Sequence, residues 1–115
     1  MKSGSLADFQ DIIVSIESKS YEQNKHFEMY RCKIALLDGS NLRIFEKYDQ
    51  DILVYNSYYW LTSFNELITG WDCAPHHHSL DSFPHHKHIG SQGHVTASAE
   101  RNLRDVLSFI KKSLV

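Results

Sequence analysis

Histidine dominates the chemistry available to this chain. Eight histidines occur in 115 residues, and seven lie between His76 and His94. Pro75-His76-His77-His78 is echoed by Pro84-His85-His86-Lys87-His88, and each proline pushes the residue before it into an extended conformation. On extended backbone His76 and His78 share one side, and so do His86 and His88. Such His-x-His pairs can clip a divalent metal, with Asp72 or Asp81 completing the set. They can equally serve acid–base chemistry on a phosphodiester, because histidine both gives and takes a proton near neutral pH. His85, His86, Lys87 and His88 supply two proton-transfer groups and a cation for the phosphorane in four consecutive residues. Sequence neighbours alternate sides, so only some of them can face one substrate. The plainest alternative is that individual histidines pack their rings structurally.

The flanking elements must position this segment. Leu6, Phe9, Ile13 and Ile16, with Ile12 beside them, make an apolar stripe that predicts a helix over roughly residues 5 to 19. From Phe27 to Leu37 the period switches to two, Asp38-Gly39-Ser40 signals a turn, and alternation resumes from Asn41 to Tyr48, giving a β-hairpin. Ile52 to Leu61 is rich in β-branched and aromatic residues and predicts a third strand, and Glu66 to Asp72 a short fourth. Leu103, Val106, Leu107, Ile110 and Leu114 give a closing helix, with Thr96 or Ser98 capping its start. The fold class expected is therefore α+β: one domain spanning residues 1–115, a four-stranded antiparallel meander flanked by an N-terminal and a C-terminal helix. A long His-rich loop, Cys73 to Val95, precedes the last helix, and loops of that length usually serve function.

The remaining composition narrows the classes. Hydrophobic residues make up 42% and charged residues 23%, with five Gly and two Pro, which excludes disordered and collagen-like chains. Twelve basic against fourteen acidic residues leave a net charge of −2, so a protein that coats duplexes is excluded while a local basic patch is not. Arg31, Lys33, Arg43 and Lys47 fall on adjacent strands, and Arg31 and Lys33 share a face that could bind RNA phosphates or merely be solvated. Tyr55, Tyr58, Tyr59 and Trp60 could stack on bases, with Tyr58 and Trp60 the RNA-binding candidates, or could fill a core. Cys32 and Cys73 form no disulfide scaffold or zinc ribbon. No apolar run is long enough to cross a bilayer, and residues 1–6 lack the apolar segment of a signal peptide, so a cytoplasmic location without membrane partners is expected. No nucleotide-cofactor or serine-hydrolase motif is present.

Three stretches carry a resemblance. Tyr55-Asn56-Ser57-Tyr58-Tyr59-Trp60, then Gly70-Trp71-Asp72-Cys73-Ala74-Pro75-His76-His77, then Phe83-Pro84-His85-His86-Lys87-His88 are similar to the pattern of the TumE family, toxins of small bacterial and archaeal type II toxin–antitoxin pairs. Cys73 stands where that family usually has Asn, and His78 extends the first histidine pair. The resemblance implies growth inhibition and a cognate antitoxin as partner, with a homodimer left open. RNA cleavage is the expected mechanism, by analogy with other such toxins. His85, His86, Lys87 and His88 are then the catalytic candidates, with Asp72, His76 and His77 in support and RNA as the target. A divalent metal on His76, His78, His86 and His88 is the competing expectation, as is a non-catalytic metal-binding or protein-interaction module built on the His-rich loop.

Overall fold

The computed structural model describes residues 4–73 and 85–114. Seven strands form one antiparallel sheet in strict chain order: β1 (Ile13–Gln23), β2 (Phe27–Leu36), β3 (Asn41–Asp49), β4 (Ile52–Leu61), β5 (Leu67–Cys73), β6 (His85–Ile89) and β7 (Val95–Ala97). A 3-10 turn, Gly4–Phe9, precedes β1, and a helix, α1 (Leu103–Leu114), follows β7.

Local chemistry explains the turns. Asn24 Oδ1 accepts hydrogen bonds from the His26 and Phe27 amides at 2.9 and 2.8 Å, closing β1 onto β2. Between β2 and β3, Gly39 takes φ +88°, a conformation glycine enters without steric cost, and its amide bonds the Leu36 carbonyl at 3.1 Å. The β3–β4 turn places both Gln50 and Asp51 at positive φ, the two-residue geometry whose twist matches that of the strands it joins. At the helix start, the Asn102 side chain accepts the Asp105 amide at 3.0 Å, and Asp105 reaches back to the Arg101 amide at 2.9 Å. That is an N-terminal cap of the kind Asn and Asp supply.

The helix covers one face of the sheet; on the opposite face the β2–β4 end is open, whereas Asp72, His86 and His88 at the β5–β6 end are buried. Cys32, Ile34, Leu36, Leu42, Ile44, Tyr58, Trp60 and Trp71 point to the helix and meet Leu103, Val106, Leu107 and Ile110 in one cluster. Phe109 sits edge-on to Trp60 and Trp71, with ring centroids 6.5 and 5.5 Å away. Polar groups inside this layer are paired: Glu46 accepts the Tyr58 and Tyr48 hydroxyls at 2.6 and 3.1 Å, and Trp60 donates to Ser40 Oγ at 2.9 Å. The 3-10 turn is tied to the helix by Arg104 on Asp8 and by Lys111 on Asp11, the latter at 2.7 Å.

The structure corrects the four-stranded meander between two helices: among the described residues the sheet has seven strands, the N-terminal segment forms a 3-10 turn and then a strand, and the C-terminal helix is the one α-helix. The stripe read as a helix over residues 5 to 19 breaks after Ile12. Phe9 and Ile12 are buried, but Val14 and Ile16 are 62% and 49% exposed on β1, where Ile16 pairs with Ile34. Four β-branched residues among positions 12–16 favour a strand, and pairing with the long β2 outweighs a chance period of 3.6. The His-rich loop is corrected in part: His85–Ile89 and Val95–Ala97 are strands that extend the sheet, while residues 74–84 lie outside the described residues. The hairpin, β4, β5 and the closing helix fall within a residue or two of expectation, apart from a later helix start.

Ile110 is fully buried on the sheet-facing side of α1, so Ile110→Ala should cost about 2–5 kcal/mol of stability. Urea denaturation followed by far-UV circular dichroism checks this through the transition midpoint.

Candidate functional site

Partners across antiparallel strands share a face, so the register of the sheet dictates what meets on the side opposite the helix. One row runs Arg31–Phe45–Ser57–Asp72–His86 across β2 to β6. The next runs Lys33–Arg43–Tyr59–Gly70–His88. At the β2–β4 end these rows line an open trough of about 340 Å³, whose walls include Arg31, Lys33, Arg43, Phe45, Ser57 and Tyr59. The Arg31 guanidinium lies 4.7 Å from the Phe45 ring centre, a cation–π contact. Exposed pairs, Arg31 with Glu22 at 3.4 Å and Lys33 with Glu17 at 3.1 Å, hold the cations only loosely.

At the β5–β6 end the rows bring Asp72, His86 and His88 together. One carboxylate oxygen and one ring nitrogen from each histidine all lie within 4.8 Å of one another. The three residues are 9%, 1% and 7% exposed, and the two imidazoles stand edge to face with centroids 5.1 Å apart. His88 Nδ1 lies 2.7 Å from the Gln92 carbonyl in the β6–β7 loop. A carbonyl only accepts, so Nδ1 carries the proton, and Nε2 of neutral His88 carries the lone pair.

Tyrosines border the cluster. The Tyr55 hydroxyl is pushed up to about 12 by burial, then by the Asp72 carboxylate and a hydrogen bond to it. Tyr59 is pushed up by burial and by Asp72. Both phenols therefore stay protonated donors at neutral pH. Gly70 makes room for Tyr59: a methyl group there would come within 2.7 Å of the ring. The Tyr59 ring thus lies against Gly70, whose partner on the other side is His88.

His85 and Lys87 face the other way. Lys87 Nζ is 3.2 Å from Glu100 Oε1, the same oxygen that accepts the Trp71 indole N–H at 2.8 Å, and lies 5.2 Å from the Phe109 ring centre. His85 pairs with Cys73 on that side, and its pKa is lowered by burial and then by Arg101. Tyr58 and Trp60 are core residues beneath the helix, whereas Tyr55 and Tyr59 border the site. The structure therefore joins Asp72, His86 and His88, places Arg31 and Lys33 on the same face, and separates His85, Lys87, Tyr58 and Trp60 from them. His76, His77 and His78 lie outside the described residues.

The family model described as Toxin TumE matches residues 4–114. The chain belongs to the TumE family. No curated protein and no solved structure matches it. Cys73, at the position where the TumE pattern has Asn, is half-buried, and burial pushes its thiol up. It sits opposite His85 rather than within the Asp72 cluster. Gly70, Ser57 and Glu100 contribute to the arrangement without any sequence motif of their own. Their signal is the register, which places each opposite a residue already singled out or within reach of one.

Two outcomes follow. Gly70→Ala should overpack the Tyr59 ring and cost about 1–3 kcal/mol, read by thermal or urea melting. His85 titrates in the folded chain below its ordinary value of 6.5, so the unfolded chain binds the extra proton first. Its contribution to stability is present above pH 6.5 and is lost as pH falls through the lowered value. Stability of His85→Gln should accordingly fall less steeply than that of the native chain over that acid window, as measured by urea melts at several pH values.

Proposed function

We propose that this protein arrests growth as a toxin that cleaves RNA held on the face of the sheet opposite the helix, and that an antitoxin protein neutralises it. The observation that carries the reading is the pair of rows joining a cationic, aromatic trough to the Asp72–His86–His88 cluster. An acidic chain that gathers Arg31, Lys33 and Arg43 on one face has the electrostatics to hold a polyanion there. Phe45 and Tyr59 offer ring faces on which unpaired bases stack.

Cleavage needs no group beyond these. The ribose 2′-hydroxyl attacks the adjacent phosphorus, and its proton passes to the lone pair of His88 Nε2. Lys33 and Arg43 hold the phosphate oxygens as charge builds on the phosphorane. The leaving 5′-oxygen takes a proton from the Tyr59 phenol, giving a 2′,3′-cyclic phosphate and a 5′-hydroxyl end. His86 and Asp72, buried beside His88, are positioning residues. Lys87, clamped by Glu100 on the opposite face, keeps β6 against the helix rather than touching phosphate.

The test is inducible expression in a bacterium without antitoxin, together with purified protein on single-stranded RNA. Native protein should stop growth and fragment RNA, and a soluble His88→Ala variant should lose about 10²–10⁴-fold in cleavage rate. Arg43→Ala should weaken RNA binding and reduce the log–log salt slope by about 0.7. Growth arrest with intact RNA, or full cleavage by His88→Ala, would overturn the mechanism.

A further inference from the structure

We propose that Asp72, His86 and His88 form a binding site for one divalent transition-metal cation of the zinc class. The donor set is two imidazole nitrogens and one carboxylate oxygen, with ligand atoms within 4.8 Å of one another. Bonds of about 2.0–2.1 Å in a tetrahedron put ligand atoms roughly 3.4 Å apart, so small side-chain rotations close the site around an ion. Two nitrogen donors favour zinc and its neighbours over magnesium or calcium, which prefer oxygen. Among the described residues the site supplies three ligands of a four-coordinate set.

Two further observations point to a cation. Asp72 Oδ1 is buried with no hydrogen-bond partner among the described residues, and an unpaired buried carboxylate oxygen is costly unless something positive meets it. His88 gives its Nδ1 proton to the Gln92 carbonyl, the outer contact that metal-bound histidines usually make, which leaves Nε2 as its donor atom. The scaffold is also stiff: Asp72 and His86 are direct cross-strand partners, and His88 is two residues along the same strand.

An ion here takes the His88 lone pair that proton transfer requires. Zinc and RNA cleavage should therefore oppose each other, a consequence that rests on the RNA-cleavage reading, whereas ion binding does not.

The experiment uses untagged full-length protein, stripped with a chelator and titrated with zinc chloride by calorimetry. One ion per chain is expected, and the folded variants Asp72→Asn and His88→Gln should each bind at least about tenfold more weakly. Cobalt(II) loaded into the native chain gives a readout independent of variant folding: ligand-field bands of a nitrogen–oxygen site, without thiolate charge transfer. Failure of the native chain to bind, unchanged affinity in both variants, or a thiolate band would overturn the site. Zinc-bound protein that cleaves RNA more slowly than stripped protein supports both ideas. Zinc binding with faster cleavage keeps the site and overturns proton transfer by His88.

Discussion

The register between β5 and β6 is the constraint on which the site depends. It sets Asp72 opposite His86 and Lys87 opposite Trp71. A slip of one residue would turn both histidines toward the helix and swing Lys87 outward. What holds the register is on the covered face: Glu100, just before α1, receives both the Trp71 indole N–H and the Lys87 ammonium. Neighbouring strands are bonded from side to side by a group that belongs to neither. A half-buried ion pair that also accepts a neutral hydrogen bond is geometrically demanding, and that demand selects one pairing over its neighbours. Chemistry on one face of the sheet is thus fixed by an electrostatic clamp on the other.

The same division governs where charge goes. Lys87–Glu100, on the helix side, is a shielded ion pair. The pairs of Arg31 and Lys33 on the opposite face are exposed, as are those of Arg104 and Lys111, and Arg31 also lies against the flat side of Phe45. Solvent screens such surface pairs strongly, so little free energy is lost when a phosphate displaces them. Stability and ligand attraction therefore draw on different sets of basic residues, and a change to the trough need not loosen the core.

Much of this was legible in the sequence, and the limits have physical causes. The β2–β3 hairpin and the closing helix announce themselves because period and turn residues agree. Asp72, His86 and His88 were all identifiable by residue type, and the parity of His86 with His88 predicted that they share a side. The N-terminal strand was hidden because Leu6, Phe9, Ile13 and Ile16 mimic a helical stripe although only part of that segment is buried. Tyr58 and Trp60 could not be told from Tyr55 and Tyr59 for a different reason. Both parities of β4 are aromatic, so alternation alone does not say which side the helix covers. Cross-strand register is set by contacts between segments distant in sequence, and no local pattern in Gly70 or Ser57 reveals their partners.

Burying a carboxylate and two imidazoles within a few ångströms is a poor way to stabilise a sheet. Apolar residues of similar volume at positions 72, 86 and 88 would pack without any desolvation penalty. The surrounding structure nevertheless invests in holding them: Gly70 gives up a side chain so that Tyr59 can lie beside them, and the Gln92 carbonyl fixes one tautomer of His88. The Tyr55 and Tyr59 phenols are kept neutral by burial and, after it, by the negative charge of Asp72. Each feature orients a polar group rather than removing one from water cheaply. A cation held between the three side chains would meet the buried Asp72 oxygen that has no hydrogen-bond partner among the described residues. Whether such an ion occupies the His88 lone pair decides whether His88 is available to accept a proton from a substrate.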